Sequence, residues 1–220
     1  MRNVLSKLVT DLSKKLSVHA LAALLMLSAA ASAYSAPKTV LVLGDSLSAE
    51  YGLARGAGWV ALAEKKLKDE KIDAVLVNAS VSGETTSGGR TRLPALLAKY
   101  QPALVVIELG ANDGLRGLPV KAAEANLRAM NEAATRAGAK VVLVGMRIPP
   151  NYGRDYSEQF FAMYGALSKE FKAPLVPFML DGVADKTALF QPDRLHPLAQ
   201  AHPTILANIW PVLQKTIKAK

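Results

Sequence analysis

Short apolar, β-branched runs recur along the chain at residues 40–43, 74–77, 104–109, 140–146 and 175–178. Each is bounded by glycine or by polar turn-forming residues, so each reads as a buried strand. The segments between them carry apolar residues at helical spacing, which predicts helices over 59–71, 90–100, 121–137, 156–171 and 198–215. The third is the clearest: Ala123, Leu127, Met130 and Ala134 share one face, and Gly138 stands where a helix commonly ends. Continuously apolar strands alternating with helices predict a five-stranded parallel sheet covered on both faces, a three-layer α/β/α sandwich with right-handed crossovers. No internal repeat, low-complexity tract or linker interrupts the pattern. Residues 34–220 therefore read as a single domain, long enough for one well-buried core.

The first 33 residues depart from that alternation. Arg2, Lys7, Lys14 and Lys15 make a basic leader, residues 16–31 are apolar, and Ala31-Ser32-Ala33 supplies small residues suited to cleavage. This is the make-up of a secretory signal peptide, with the mature chain starting at Tyr34 and an expected location in the periplasm. The rival is a retained anchor, but the apolar core is shorter than the ~20 residues a membrane span requires. The chain has no cysteine, which excludes lipid attachment at the processing site and a disulfide framework. The formal charge of +9 falls to +6 without the leader, which holds four Lys/Arg and one Asp. Lys65, Lys66, Lys68 and Lys71, and later Lys215, Lys218 and Lys220, lack the interleaved aromatics or arginines that stack on bases. They predict solvated helix faces and no nucleic-acid site, with at most a peripheral attraction to anionic lipid or substrate.

Chemistry gathers where strands end. The first strand halts at Gly44-Asp45-Ser46-Leu47-Ser48, the second runs into Ser80-Val81-Ser82-Gly83-Glu84-Thr85, and the third into Gly110-Ala111-Asn112-Asp113-Gly114. Asp193-Arg194-Leu195-His196 follows the last strand. In open α/β sheets the carboxyl edge is where ligands bind. A serine there, with a late Asp and His three residues apart, holds the parts of a nucleophilic hydrolase. Each residue has a plainer reading: Ser46 as a helix N-cap, Gly83 as a turn glycine, Asn112 as a turn former. Their joint occurrence after successive strands favours chemistry. The flank of Ser46 is not a Gly-x-Ser-x-Gly elbow, so a looser turn and a more open cleft are expected. His202, the other histidine outside the leader, is expected as a surface or capping residue. Asp181 and Asp185 are alternatives to Asp193. Two other classes compete: a metal-dependent phosphoesterase holding a cation on Asp45, Asp113, Asp193 and His196, and a non-catalytic nucleotide- or lipid-binding protein. No Gly-x-Gly-x-x-Gly or Walker-type loop supports nucleotides.

Taken in order, the blocks Gly44-Asp45-Ser46-Leu47-Ser48-Ala49, Ser82-Gly83-Glu84-Thr85, Gly110-Ala111-Asn112-Asp113-Gly114 and Asp193-Arg194-Leu195-His196-Pro197 resemble the SGNH (GDSL) hydrolase superfamily. The similarity extends through residues 92–97, 115–117 and 148–153, and is greatest to a bacterial exported branch of thioesterases, lysophospholipases and arylesterases. The resemblance implies a flavodoxin-like sheet and a serine esterase with neither cofactor nor metal. Its substrates would be small-molecule carboxylic esters, thioesters or lysophospholipids; the nearest rival within the superfamily is sugar-ester deacetylation. Ser46 would be the nucleophile, His196 the general base and Asp193 its orienting carboxylate. The backbone N–H groups of Ser46 and Gly83 and the amide of Asn112 would form the oxyanion hole. Leu115, Leu118, Ile148 and Pro149 would line an apolar trough, with core packing as the alternative. Asp45 and Asp113 are expected to brace the loops, and Trp59 and Trp210 to anchor packing. Glu50 departs from the pattern, which calls for glycine or another small residue there. No oligomeric state is implied.

Overall fold

The computed structural model describes residues 36–219, so the expected signal segment lies outside the described residues. Five strands, β1 (Lys38–Gly44), β2 (Ala74–Asn78), β3 (Leu104–Glu108), β4 (Lys140–Val144) and β5 (Leu175–Val176), form one sheet in the order β2-β1-β3-β4-β5. All four pairings are parallel, with Leu41 opposite Val105 and Leu43 opposite Ile107. Six helices cover it: α1 (Trp59–Asp69), α2 (Thr86–Tyr100), α3 (Ala111–Leu115), α4 (Val120–Arg136), α5 (Arg154–Phe171) and α6 (His202–Lys218). Helix α1 packs against α6, whereas α2, α4 and α5 pack side by side, giving the expected three layers.

Burial explains the scaffold. Val40, Leu41, Val42 and Leu43 are wholly buried, and each such side chain contributes ~1.5–3 kcal/mol, so the strand that delivers Ser46 is firmly seated. Helix α4 buries Ala123, Leu127, Met130 and Ala134, the face its rhythm predicts, and Gly138 follows it at φ 82°. From β1 the chain crosses to β2 on one side and then returns to β3 on the other. A crevice therefore opens between the carboxyl ends of β1 and β3, where the connections diverge.

Several boundaries differ from the sequence expectation, and four differences have a clear local cause. Strand β5 is only two residues long, because Pro177 offers no N–H to extend the ladder. Helix α2 begins four residues early, where the Thr85 side chain accepts from the Gly88 N–H at 3.3 Å and caps it. The last helix starts at His202, after a 3₁₀ turn over Ala199–Ala201. Helix α3 falls where a loop was expected; five residues are too few to register a period.

Candidate active site

The end of β1 is shaped by a carboxyl group beneath it. A Cβ on Gly44 would lie 2.7 Å from both Glu108 Oε2 and Ser48 Oγ, so only glycine lets the chain cross there. The backbone then turns, with Leu47 N–H donating to Asp45 Oδ1 at 3.0 Å and Ala49 N–H to the Asp45 carbonyl at 2.9 Å. Ser46 rides on this turn and caps no helix, since α1 begins only at Trp59.

On one side of Ser46 stands the Asp193–His196 turn. His196 Nε2 lies 2.8 Å from Ser46 Oγ, and Nδ1 lies 2.7 Å from Asp193 Oδ2. The other Asp193 oxygen accepts from the N–H groups of Leu195 at 2.9 Å and His196 at 3.0 Å, which bends the chain tightly enough to bring carboxylate and imidazole together. Partial burial works against the Asp193 charge, but those N–H bonds and the imidazole outweigh it and hold the carboxyl at about 2. Neither Asp181 nor Asp185 hydrogen-bonds to His196. The exposed outer flank of the imidazole carries a residue that sequence reasoning missed: the Tyr51 ring, with centroids 4.4 Å apart. Only its place five residues after Ser46 could have drawn attention to it.

The other side of Ser46 holds the amide donors. The N–H groups of Ser46 and Gly83 donate to no other group among the described residues, and Gly83 turns at φ 79°, a left-handed conformation that glycine adopts without strain. Asn112, in the first turn of α3, has both amide protons engaged: Nδ2 donates to Glu84 O at 3.0 Å and to Asp45 Oδ2 at 3.3 Å. Below lies a second feature invisible in the sequence. Glu108 Oε2 accepts from Ser48 Oγ at 2.7 Å and from Asp45 N–H at 3.3 Å, while Trp59 Nε1 donates to Ser48 Oγ at 3.0 Å. Burial first, then the Asp45 charge, pushes the Glu108 carboxyl well up. Burial also raises Asp45, to about 6, against the Leu47 N–H and the nearby His196, with Asp113 adding to the rise.

The bracing residues are similarly resolved. Asp113 accepts from Thr86 N–H at 2.8 Å and Thr86 Oγ1 at 2.6 Å, tying α3 to the start of α2. His202 is a capping residue, as one of the two expectations held, but it is buried and not at the surface. Its Nδ1 accepts from Trp59 N–H at 3.0 Å, and burial lowers its pKa so that the neutral ring persists. Glu50 adopts φ 59°, which accounts for the small residue the pattern calls for. Its carboxylate holds the strained turn by accepting from Gly56 N–H at 3.0 Å and Gly58 N–H at 2.8 Å.

A cavity of about 410 Å³ opens beside Ser46 and His196, lined by Leu115, Ile148, Pro149, Phe178, Leu180 and Phe190 among others. Leu118 is not in that lining and is 40% exposed; its carbonyl instead accepts from Tyr156 OH at 2.6 Å. A larger groove of about 1070 Å³ lies between α4, α5 and α6, yet no histidine or carboxylate reaches it, so size does not pick out the reactive site. Among the described residues no group of three or more His, Cys, Asp and Glu is arranged to hold a metal ion. Asp113 is taken up by Thr86 and Asp193 by His196.

The chain is similar to known esterases along most of its length. The chain is 51% identical over 180 residues to esterase TesA of Pseudomonas aeruginosa, covering 82% of this chain and 90% of that one. It is 44% identical over 171 residues to thioesterase 1/protease 1/lysophospholipase L1 of Escherichia coli K12, covering 78% and 81%. Arylesterase of Vibrio mimicus is 43% identical over 173 residues, covering 79% and 86%. A crystal structure of TesA superposes with a TM-score of 0.80 over 81% of this chain and 99% of that chain. The psychrotrophic esterase EstA from Pseudoalteromonas sp. superposes at 0.79 with 44% identity, over 83% of this chain and all of its own. The pattern of the GDSL-like lipase/acylhydrolase family matches residues 42–203, and the chain belongs to that family.

Proposed function

We propose that this hydrolase is a periplasmic serine esterase that cleaves carboxylic esters and thioesters through an acyl-enzyme, acting after residues 1–33 are removed. The observation that carries the reading is the unbroken hydrogen-bonded chain from Ser46 Oγ through both nitrogens of His196 to Asp193. Ser46 Oγ attacks the carbonyl carbon while His196 Nε2 takes its proton, and Asp193 holds the Nδ1–H and stabilises the resulting imidazolium. The carbonyl oxygen becomes an oxyanion facing the N–H groups of Ser46 and Gly83 and the Asn112 amide. Each such donor lowers the barrier by ~3–4 kcal/mol. Asn112 gains this role by releasing Asp45 Oδ2, the longer of its two bonds at 3.3 Å. The intermediate then collapses, Nε2 returns the proton to the departing alcohol or thiol, and water repeats the sequence on the acyl-enzyme.

The cavity of about 410 Å³ is near the lower end of ~300–1,000 Å³ ligand pockets, which suits a single acyl chain or an aryl group. The relatives are named for ester, aryl-ester, thioester and lysophospholipid substrates, and we assign the same classes here. Among the described residues no helix is long and apolar enough to cross a membrane. The test is Ser46→Ala. Turnover of aryl esters and acyl thioesters should fall about 10³-fold or more with the melting temperature unchanged, and a fluorophosphonate probe should label the parent at Ser46 alone. Retention of near-parental turnover by the variant would end the assignment.

A further inference from the structure

Among the described residues, the large hydrophobic side chains left exposed are Tyr51, Val75, Val81, Leu118, Tyr152 and Leu195. Val75 belongs to the edge strand β2. The other five fall one to each connection at the carboxyl edge of the sheet: Tyr51 after β1, Val81 after β2, Leu118 after β3, Tyr152 after β4 and Leu195 after β5. Exposed apolar residues scattered singly need no explanation. A ring drawn from all five loops that surround one cleft does, because such rims mark interaction surfaces.

Arginines share those loops. Arg55 follows β1, Arg116 follows β3, Arg147 follows β4 and Arg194 follows β5, and all four are exposed. None pairs with a carboxylate among the described residues. Arg116 donates to the Gly83 carbonyl at 3.1 Å, and Arg147 lies 3.8 Å over the Phe161 ring. The lysines of α1 differ: Lys65, Lys66 and Lys68 are each matched to Asp69, Glu70 or Glu64 on the same helix. Four arginines without a carboxylate partner thus stand at the same edge as the apolar ring, with the exposed Asp155, Asp181 and Asp185 as the acidic side chains there that lack an ion pair.

We propose that this edge is a docking face for a phospholipid surface bearing anionic headgroups. The ring side chains enter the boundary between headgroups and acyl chains, and the guanidinium groups pair with lipid phosphates. Docked this way, the cleft opens onto the surface where acyl esters partition. Docking is independent of the esterase assignment, since Ser46→Ala should bind vesicles as the parent does.

The test uses the purified chain as expressing cells deliver it, so parent and variants share one N-terminus. Co-sedimentation compares phosphatidylcholine vesicles with an equal mixture of phosphatidylcholine and phosphatidylglycerol. The parent should prefer the mixed vesicles and lose binding as salt is raised. Val81→Asp combined with Arg55→Glu should cut the partition coefficient about tenfold or more, while hydrolysis of a water-soluble short-chain aryl ester stays within about twofold. Lys169→Glu combined with Lys172→Gln makes the same net charge change at the far end of α5 and should leave binding nearly intact. Undiminished binding by the first variant, or an equal loss in the second, overturns the proposal; so does failure of the parent to bind mixed vesicles. If the first variant does not fold, hydrogen exchange of the parent decides. Slowing at residues 51–57 and 79–84 on vesicles supports docking, and slowing confined to α1 and α6 overturns it.

Discussion

The two flanks of Ser46 hold carboxyl groups on opposite physical terms. The Asp193 side chain is 38% exposed and yet stays charged, at about 2. Asp45 is wholly buried and rises to about 6. Burial opposes the charge in both, but far more at wholly buried Asp45, where it is the largest cause of the rise. Hydrogen bonding widens the difference: Asp193 accepts from two backbone N–H groups and an imidazole, all within 3.0 Å. Asp45 accepts from one backbone N–H at 3.0 Å and from an amide at 3.3 Å. A carboxylate keeps its charge where it stays partly exposed and short N–H donors converge on it, and loses its preference for charge where deep burial outweighs the few donors it has. The consequence is functional. On the proposed mechanism the His196 flank is assembled in the resting protein, whereas the Asn112 flank has its amide committed and would exchange a partner to serve the transition state.

The sharpest way to break this comparison is on the assembled flank. Asp193→Asn keeps the shape but replaces an anion with an amide, leaving the imidazolium uncompensated and its tautomer uncontrolled. Ester turnover should drop on the order of 10³–10⁴-fold, with little change in KM. Because Asp193 keeps its charge down to about 2, its protonation should not limit the parent's rate anywhere above pH 5. On the other flank, Asn112→Ala should cost about 10²–10³-fold in kcat. A loss under fivefold would mean that the amide stays on Asp45 throughout the reaction, so that Ser46 and Gly83 alone supply the donors.

How much of this was legible in the sequence follows from the range of each interaction. The scaffold was, because apolar runs and helical spacing are local signals. The residues that meet at the cleft were legible as blocks, since each block carries its own turn chemistry, as Asp193 does with the two N–H groups just after it. Glu108 was not: it reads as the polar end of an apolar run, and its partners Ser48 and Asp45 lie 60 and 63 residues away. Tyr51 is equally silent, because its tilted contact with the His196 ring follows the left-handed turn at Glu50. Leu118 was expected in the trough on its position after β3, but Gly117 at φ 65° carries the chain outward before it. Such placements depend on backbone turns and on burial that no local pattern records.

The smallest expected effect concerns the buried pair itself, and its sign distinguishes the two flanks. Asp45 and Glu108 hold their protons more tightly folded than unfolded, so the native state binds the extra protons and stability falls as pH rises. For Asp45 that loss runs from its ordinary value of 3.8 up through about 6, and Glu108 extends it further upward. Asp193 behaves oppositely, its contribution being lost only as pH falls toward about 2. The melting temperature of the parent should therefore be lower at pH 8 than at pH 5. Glu108→Gln mimics the protonated carboxyl: its amide oxygen can accept from Ser48 and Asp45 as before, and its NH₂ can donate to the Asp45 carboxylate. The variant should show a flatter profile and match or exceed the parent at pH 8, where each kcal/mol moves Tm by roughly 2–4 °C for a domain of this size. Turnover should stay within about threefold, because Glu108 itself touches Ser48 and Asp45 and none of Ser46, His196 or Asn112. A variant as steep in pH as its parent would show that Glu108 is ionised in its buried place, with the Ser48 hydroxyl and the Asp45 N–H sufficient to hold the charge.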